Sequence, residues 1–241
     1  MIRRLLAFAL ILIAPMLIAG PASAAERSYA IGNFDRIRVE GPFDVRLTTH
    51  EPPGARAQGD PRTTDDLDIR VEGMTLIVRA GAGGWGERPG ASDTRAPVIL
   101  VSTLLIRSAT VIGGGQLAIT GPVKGQRIDL QLTGSGGLDV SGLDADQLNA
   151  TLLGSGNIKL VGRAAKVRLL TSGQGVIDAV PLSAGDLIVR LDGTGETRAT
   201  ARFTANVTTT GIGAATIYGD AACTVKAMAG GPISCGKLPT P

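Results

Sequence analysis

Three kinds of residue in this sequence could do chemistry. Gly-x-Gly pairs can open a phosphate-binding loop, the sole histidine, His50, can move protons, and Cys223 and Cys235 can form a bridge or ligate a metal. The phosphate reading fails on detail. A dinucleotide loop has the form Gly-x-Gly-x-x-Gly and opens a helix. In "LLGSGNIKL", Leu152 to Leu160, the third glycine position holds Lys159, and in the preceding copy it holds Asp139. Strand-type alternation follows both. A calcium-binding Gly-Gly-x-Gly-x-Asp coil needs carboxylates inside every turn. Here Asn157, Val176, Glu196 and Ala214 follow the second glycine, so that oxygen cage is missing.

Other reactive constellations are equally thin. A Ser-His-Asp site would have to use His50, which precedes Glu51-Pro-Pro in a turn and reads as a solvent-exposed loop residue. One histidine and two cysteines do not make a zinc set. Asp65, Asp66 and Asp68 form an acidic knot and Arg163, Lys166 and Arg168 a basic one, both read first as solvated faces. If the chain stacks on itself, outward residues at equivalent positions form stripes, and Lys159 and Arg198 would share one. The expectation is therefore no catalytic residue, no cofactor and no metal.

The elements that position these residues come from a repeat. Gly113-Gly-Gly115, Gly134-Ser-Gly136, Gly154-Ser-Gly156, Gly173-Gln-Gly175, Gly193-Thr-Gly195 and Gly211-Ile-Gly213 follow one another, and Ala229-Gly-Gly231 is a degenerate copy. The steps between first positions are 21, 20, 19, 20, 18 and 18 residues, too regular for chance. Apolar residues sit six, four and two positions before each motif, as in Ile128, Leu130 and Leu132, and two and four after it, as in Ile158 and Leu160. Period-two alternation is the mark of a strand buried on one face. A unit of about 20 residues cannot bury its apolar side alone; stacked on like units it can. This predicts an all-β solenoid of six to seven coils. The glycines would be structural turns, because a sharp corner once per coil needs a residue free of a Cβ.

The flanks differ. Arg3 and Arg4, the apolar run Leu5 to Ile18 and Ala22-Ser-Ala24 read as a signal peptide, residues 1–24, cut before Ala25. Pro15, Gly20 and Pro21 argue against a membrane anchor. Of 24 Lys and Arg, two lie in this leader, which leaves 22 against 21 Asp and Glu, a net charge of +1 and no nucleic-acid surface. The two cysteines in an exported chain favour a Cys223–Cys235 disulfide, with two small buried thiols as the alternative. Residues 25–33 read as a linker, and residues 34–80 as a strand-rich region that begins the same sheets and covers the open end of the rod. Residues 81–96 form a long loop carrying Trp85, either a hairpin tip or a binding loop. Ala145 to Leu148 is at most a turn. Residues 237–241 are a tail.

"FDRIRVEGPFDVRL", from Phe34, followed by "LTGSGGLDV" and "LLGSGNIKLVG", resembles the head GIN domain family, called autotransporter adhesins by analogy. The likeness spans about Phe34 to Cys235. It implies a single-domain, right-handed parallel β-helix of the bacterial envelope without established enzymatic activity, and it carries over no site residues. The reading is an exported, non-catalytic, adhesin-like solenoid, periplasmic or at the cell surface, binding a protein or glycan. The rivals are a carbohydrate-active β-helix enzyme and a structural component that homo-oligomerises. Against the enzyme stand the few aromatics left after the leader: Tyr29, Phe34, Phe43, Trp85, Phe203 and Tyr218.

Overall fold

The structure, a computed structural model, describes residues 25–81 and 96–236. Its strands are β1 (Ala25–Tyr29), β2 (Arg36–Glu40), β3 (Asp44–Thr49), β4 (Gly54–Gly59), β5 (Leu67–Glu72), β6 (Thr75–Ala80), β7 (Val98–Thr103), β8 (Ser108–Gly113) and β9 (Gln116–Thr120). Then come β10 (Val123–Gly134), β11 (Gly137–Gly154), β12 (Asn157–Gly173), β13 (Val176–Gly193), β14 (Glu196–Thr209), β15 (Ala214–Tyr218), β16 (Ala222–Ala227) and β17 (Ile233–Gly236). One short helix, α1 (Pro61–Asp65), interrupts them. All strands belong to one continuous ladder, and from β8 onward neighbours run parallel. The result is the β-solenoid that the repeat predicts, of about six turns.

Each coil turns through three faces. The stretch before a Gly-x-Gly motif lies on face A, where Leu132, Leu152, Thr171, Leu191 and Thr209 stack rung on rung. The stretch after the motif lies on face B, where Leu117, Leu138, Ile158, Ile177, Thr197, Ala215 and Ile233 stack. A short face C, built from residues such as Ala145, Ala164, Ala184 and Ala201, joins B back to A. Ala145 to Leu148 is thus part of β11 rather than a turn, because its residues carry the ladder from face C into face A.

The interior is one apolar column. The inward positions, from Ile37 through Leu152 to Ile217, are buried almost completely. Stacking like on like lets each side chain fill the space directly over its counterpart. Of the threonines that enter the column, Thr171 and Thr197 hydrogen-bond to each other across the interior at 2.8 Å, which offsets the burial of their hydroxyls, whereas the buried Thr209 hydroxyl has no partner among the described residues.

The corners explain the glycines. At Gly154, φ is +123°, a conformation that side chains with a Cβ rarely adopt. At Gly175 the reason is close approach, since an added Cβ would stand 2.5 Å from the carbonyl oxygen of Gly156 in the rung below. These corners also pair with one another. Ser155 N–H and Gly156 N–H both donate to Gly134 O at 3.0 Å, and Gln174 N–H and Gly175 N–H both donate to Gly154 O at 2.9 Å.

The N-terminal region departs from the expected order. Strands β2 and β3 do not lie at the end of the rod. They form an internal rung: β2 pairs with β6 on one edge and β8 on the other, and β3 pairs with β7 and β9. The capping strands are β5, antiparallel on β6, and β4, antiparallel on β7. Residues Ala25–Tyr29, read above as linker, are strand β1, antiparallel on β4. Side chains secure this end. Tyr29 donates its hydroxyl to Thr64 O at 2.9 Å, and Arg27 pairs with Asp65 at 2.9 Å. Asp68 accepts from Arg70 and, at 2.9 Å, from Arg79. Partial burial pushes the Asp68 carboxyl up, but the hydrogen bonds and charges of Arg70 and Arg79 outweigh it and hold it below the ordinary aspartate value.

Two outcomes test this account. Gly175→Ala should destabilise the protein by about 2 kcal/mol or more, lowering Tm by about 4–8 °C. Gly230→Ala, where an added Cβ meets nothing within 4 Å, should leave Tm nearly unchanged. A carboxyl held down in the folded state stabilises above its unfolded value, about 3.9, and that contribution disappears as pH falls through the folded value. The Tm difference between wild type and Asp68→Asn should therefore be full above about pH 5 and shrink below about pH 4.

Candidate functional site

The expected site residues separate into structural and surface groups. Gly134, Gly136, Gly154, Gly156, Gly173, Gly175, Gly193, Gly195, Gly211 and Gly213 all lie in the line of corners between faces A and B. Their amides are not free to cradle an anion. At four successive corners, the two N–H groups after the first glycine donate to the carbonyl of the preceding first glycine, from Gly113 O to Gly173 O. A phosphate nest needs those donors unpaired.

The cysteines bond to each other. Cys223 continues the inward column of Leu187 and Ala205 on face A; Cys235 continues that of Ala199 and Ile217 on face B. The bridge, with Cα atoms 6.5 Å apart, therefore ties the two faces of the last rung across the mouth of the interior. That rung has no neighbour beyond it among the described residues. As a result Val225, whose counterpart Val207 is buried, is 44% exposed. Trp85, with most of loop 81–96, lies outside the described residues, as do the leader 1–24 and the tail 237–241.

His50 is exposed at a bend with φ of +67°, and its backbone N–H donates to Leu104 O at 3.3 Å. Among the described residues no group of His, Cys, Asp or Glu could hold a metal ion, and no helix is long and apolar enough to cross a membrane.

The charged residues form a pattern on the outer wall. Asp139, Lys159, Asp178 and Arg198 stack in register on face B, with Arg198 3.4 Å from Asp178. The basic stripe suggested by Lys159 and Arg198 is in fact an alternating one, because aspartates occupy the rungs below each cation. The basic knot divides in a similar way. On face C, Arg163 forks onto Asp144 at 2.8 and 2.9 Å and holds that carboxyl below its usual value. Lys166 and Arg168 lie on face A, beside a shallow groove of about 410 Å³ that crosses β11, β12, β13 and β14. Gln147, Asn149, Asp186, Ile188, Thr204 and Asn206 line the rest of it. The carboxyls of Asp68 and Asp144 are both displaced toward the charged form, the opposite of what a general acid requires.

Sequence reasoning alone did not join Ile188 to this groove or bring Arg190, two residues further along β13, close to it. Coil lengths could have suggested it, since steps of 20 and 18 place residue 188 over 168 and 206 over 188.

A wall of stacked rungs with a polar groove defines the class as a parallel β-solenoid. The sequence matches the family model "Putative auto-transporter adhesin, head GIN domain" over residues 33–221, and the chain belongs to that family. Among curated proteins none matches. Crystal structures with the same fold include a "putative adhesin" from Bacteroides fragilis, 18% identical with a TM-score of 0.79, covering 90% of this chain and 98% of that one. A "putative lipid binding protein" from Parabacteroides distasonis is 20% identical with a TM-score of 0.72, covering 91% and 98%. A "putative adhesin" from Parabacteroides merdae is 17% identical with a TM-score of 0.64, covering 91% and 98%.

The terminal bridge generates a local prediction. In a solenoid each rung contacts only its neighbours, so reduction should loosen the end first. Hydrogen exchange of the Cys223→Ser/Cys235→Ser variant should accelerate in 222–236 well before residues 128–193. Uniform acceleration along the rod would contradict the local role.

Proposed function

We propose that this chain is an exported, non-catalytic solenoid of the bacterial envelope that binds a protein or glycan through its strand-built outer wall. The single observation that carries the reading is the character of that wall. It offers a shallow, polar, partly cationic groove running across four rungs, rather than an enclosed cleft with paired acid and base. Membership of an adhesin-like family supports a binding role. The disulfide supports life outside the cytoplasm, where such bridges persist. The basic start at Arg3 and Arg4, the apolar run and Ala22-Ser-Ala24 supply the matching leader, with the periplasm or the cell surface as destination.

The regularity of the fold suits such a task. Inward positions are committed to the core, while outward ones vary without disturbing it, so a binding surface can be written on alternate residues. A glycan array and a pull-down from envelope fractions, both with residues 25–241, test the proposal. Saturable capture of a glycan or of a defined envelope protein is expected. Silence in both would remove the binding role. Turnover of a polysaccharide, abolished by changing one carboxylate, would replace it with an enzymatic one.

A further inference from the structure

The outer surface of face A carries a cluster of cations that no ion pair among the described residues engages. Most arginines elsewhere on the described strands have carboxylate partners, as Arg46 with Asp44 at 3.0 Å, Arg127 with Asp129 at 3.0 Å and Arg163 with Asp144 at 2.8 Å, while Arg202 lies over the Phe203 ring at 4.9 Å. Lys166, Arg168 and Arg190 have none among the described residues. All three are exposed and alternate with buried Val167, Leu169 and Val189, so they point outward from adjacent strands. Register places Lys166 beside Asp186 and Gln147, Arg168 beside Ile188 and Asn149, and Arg190 beside Leu170 and Thr208. With strands about 4.8 Å apart and two residues of offset, Arg168 and Arg190 stand diagonally about 8 Å apart.

Asp186, in register with Lys166, and Asp192, two residues beyond Arg190, are the nearby carboxylates; Asp186 accepts from Thr204 Oγ1 at 2.7 Å and Asp192 from Thr210 Oγ1, and neither is ion-paired with the three cations. Asp129, at the groove's lower edge, is shared by Arg127 and Asn149 Nδ2. On face B a cation is met by the rung below, as in the column Asp139–Lys159–Asp178–Arg198, where Arg198 lies 3.4 Å from Asp178. On face A only Lys166 stands in register with a carboxylate, Asp186; Arg168 and Arg190 do not.

The surroundings specify what would supply the missing charge. Ile188, 42% exposed, sits between Arg168 and Arg190 on the grid, and Phe203, 62% exposed, directly precedes Thr204 at the rim. Amide side chains of Gln147, Asn149 and Asn206 flank them. Cations for carboxylates, amides for hydroxyls and small apolar platforms for ring C–H faces are the chemistry of an acidic saccharide chain. Resting on the binding role proposed above, the geometry points to Lys166, Arg168 and Arg190 as the anion-recognising residues of a site for an acidic polysaccharide laid across β11 to β14. The strand spacing gives the site a span of about 14 Å over three inter-strand gaps.

Binding of a labelled oligogalacturonate to residues 25–241, read by fluorescence anisotropy, tests this. The affinity should fall steeply with added salt, and neutral dextran of similar length should not bind. Lys166→Gln/Arg168→Gln/Arg190→Gln should weaken binding by about tenfold or more, with circular dichroism unchanged. Ile188→Asp, which keeps all three cations but sets a carboxylate among them, should weaken it as well. Arg46→Gln, on face B, should bind as wild type. Failure of oligogalacturonate to bind, equal binding of dextran or of a DNA oligonucleotide, or indifference to both sets of face A substitutions would overturn the assignment. A neutral glycan or a protein captured in its place would sink this inference while leaving the binding role intact; silence toward every probe would sink both.

Discussion

The structure depends on backbone meeting backbone at the corners between faces A and B. The carbonyl of the first glycine in one corner accepts two N–H groups from the next, at 2.9 to 3.1 Å, four times in succession. This contact requires the absence of a Cβ on both sides, because the added atom would fall within 2.5 Å of the neighbouring carbonyl at Gly173 and Gly175. It also sets the register to the residue. Gly134 lies over Gly113, Gly154 over Gly134 and Gly173 over Gly154, so every inward and outward column is aligned from that line. A slip of one residue would exchange the dry side of each strand for the wet one.

A stack of rungs has two ends, and each leaves unpaired edges and open apolar columns. The two are closed by different means. At the N-terminal end, antiparallel strands β1, β4 and β5 lie over β7 and β6, and the ion pairs Arg27–Asp65 and Arg79–Asp68 surround them. At the other end the disulfide Cys223–Cys235 ties the last two strands across the interior. The bridge replaces contacts that a further rung would have supplied. It leaves Val225 exposed, whereas its counterpart one rung earlier, Val207, is buried.

Function is separable from stability in such a molecule. The interior contains residues chosen for stacking, and the amides that could bind anions at the corners are consumed by the stack. What remains for recognition is the outer wall, where cations and carboxylates alternate up a column, as on face B, or cations stand outside ion pairs, as at Arg168. The membership of the family and the shared fold at 17–20% identity are consistent with this division, since a common core can carry very different outward residues.

Much of this was legible in the sequence, because a solenoid writes its period directly into the chain. Glycines at steps of 18 to 21 residues and alternating apolar flanks determine the coils, the corners and the buried side of each strand. The cysteines at inward positions of the final coil likewise indicated their bridge. Tertiary structure alone decided three things. It inserted β2 and β3 between β6–β7 and β8–β9, a long-range pairing that no local pattern encodes. It made a strand of Ala25–Tyr29, whose order comes from β4 rather than from its own residues. It also separated Arg163 from Lys166 and Arg168 while bringing Arg190 to them. Neighbours across rungs depend on register, and register shifts between Lys159 and Gly162 and between Ala179 and Ser183, where the coils differ in length. Periodicity in the sequence reveals that residues stack; only the folded ladder reveals which stand side by side.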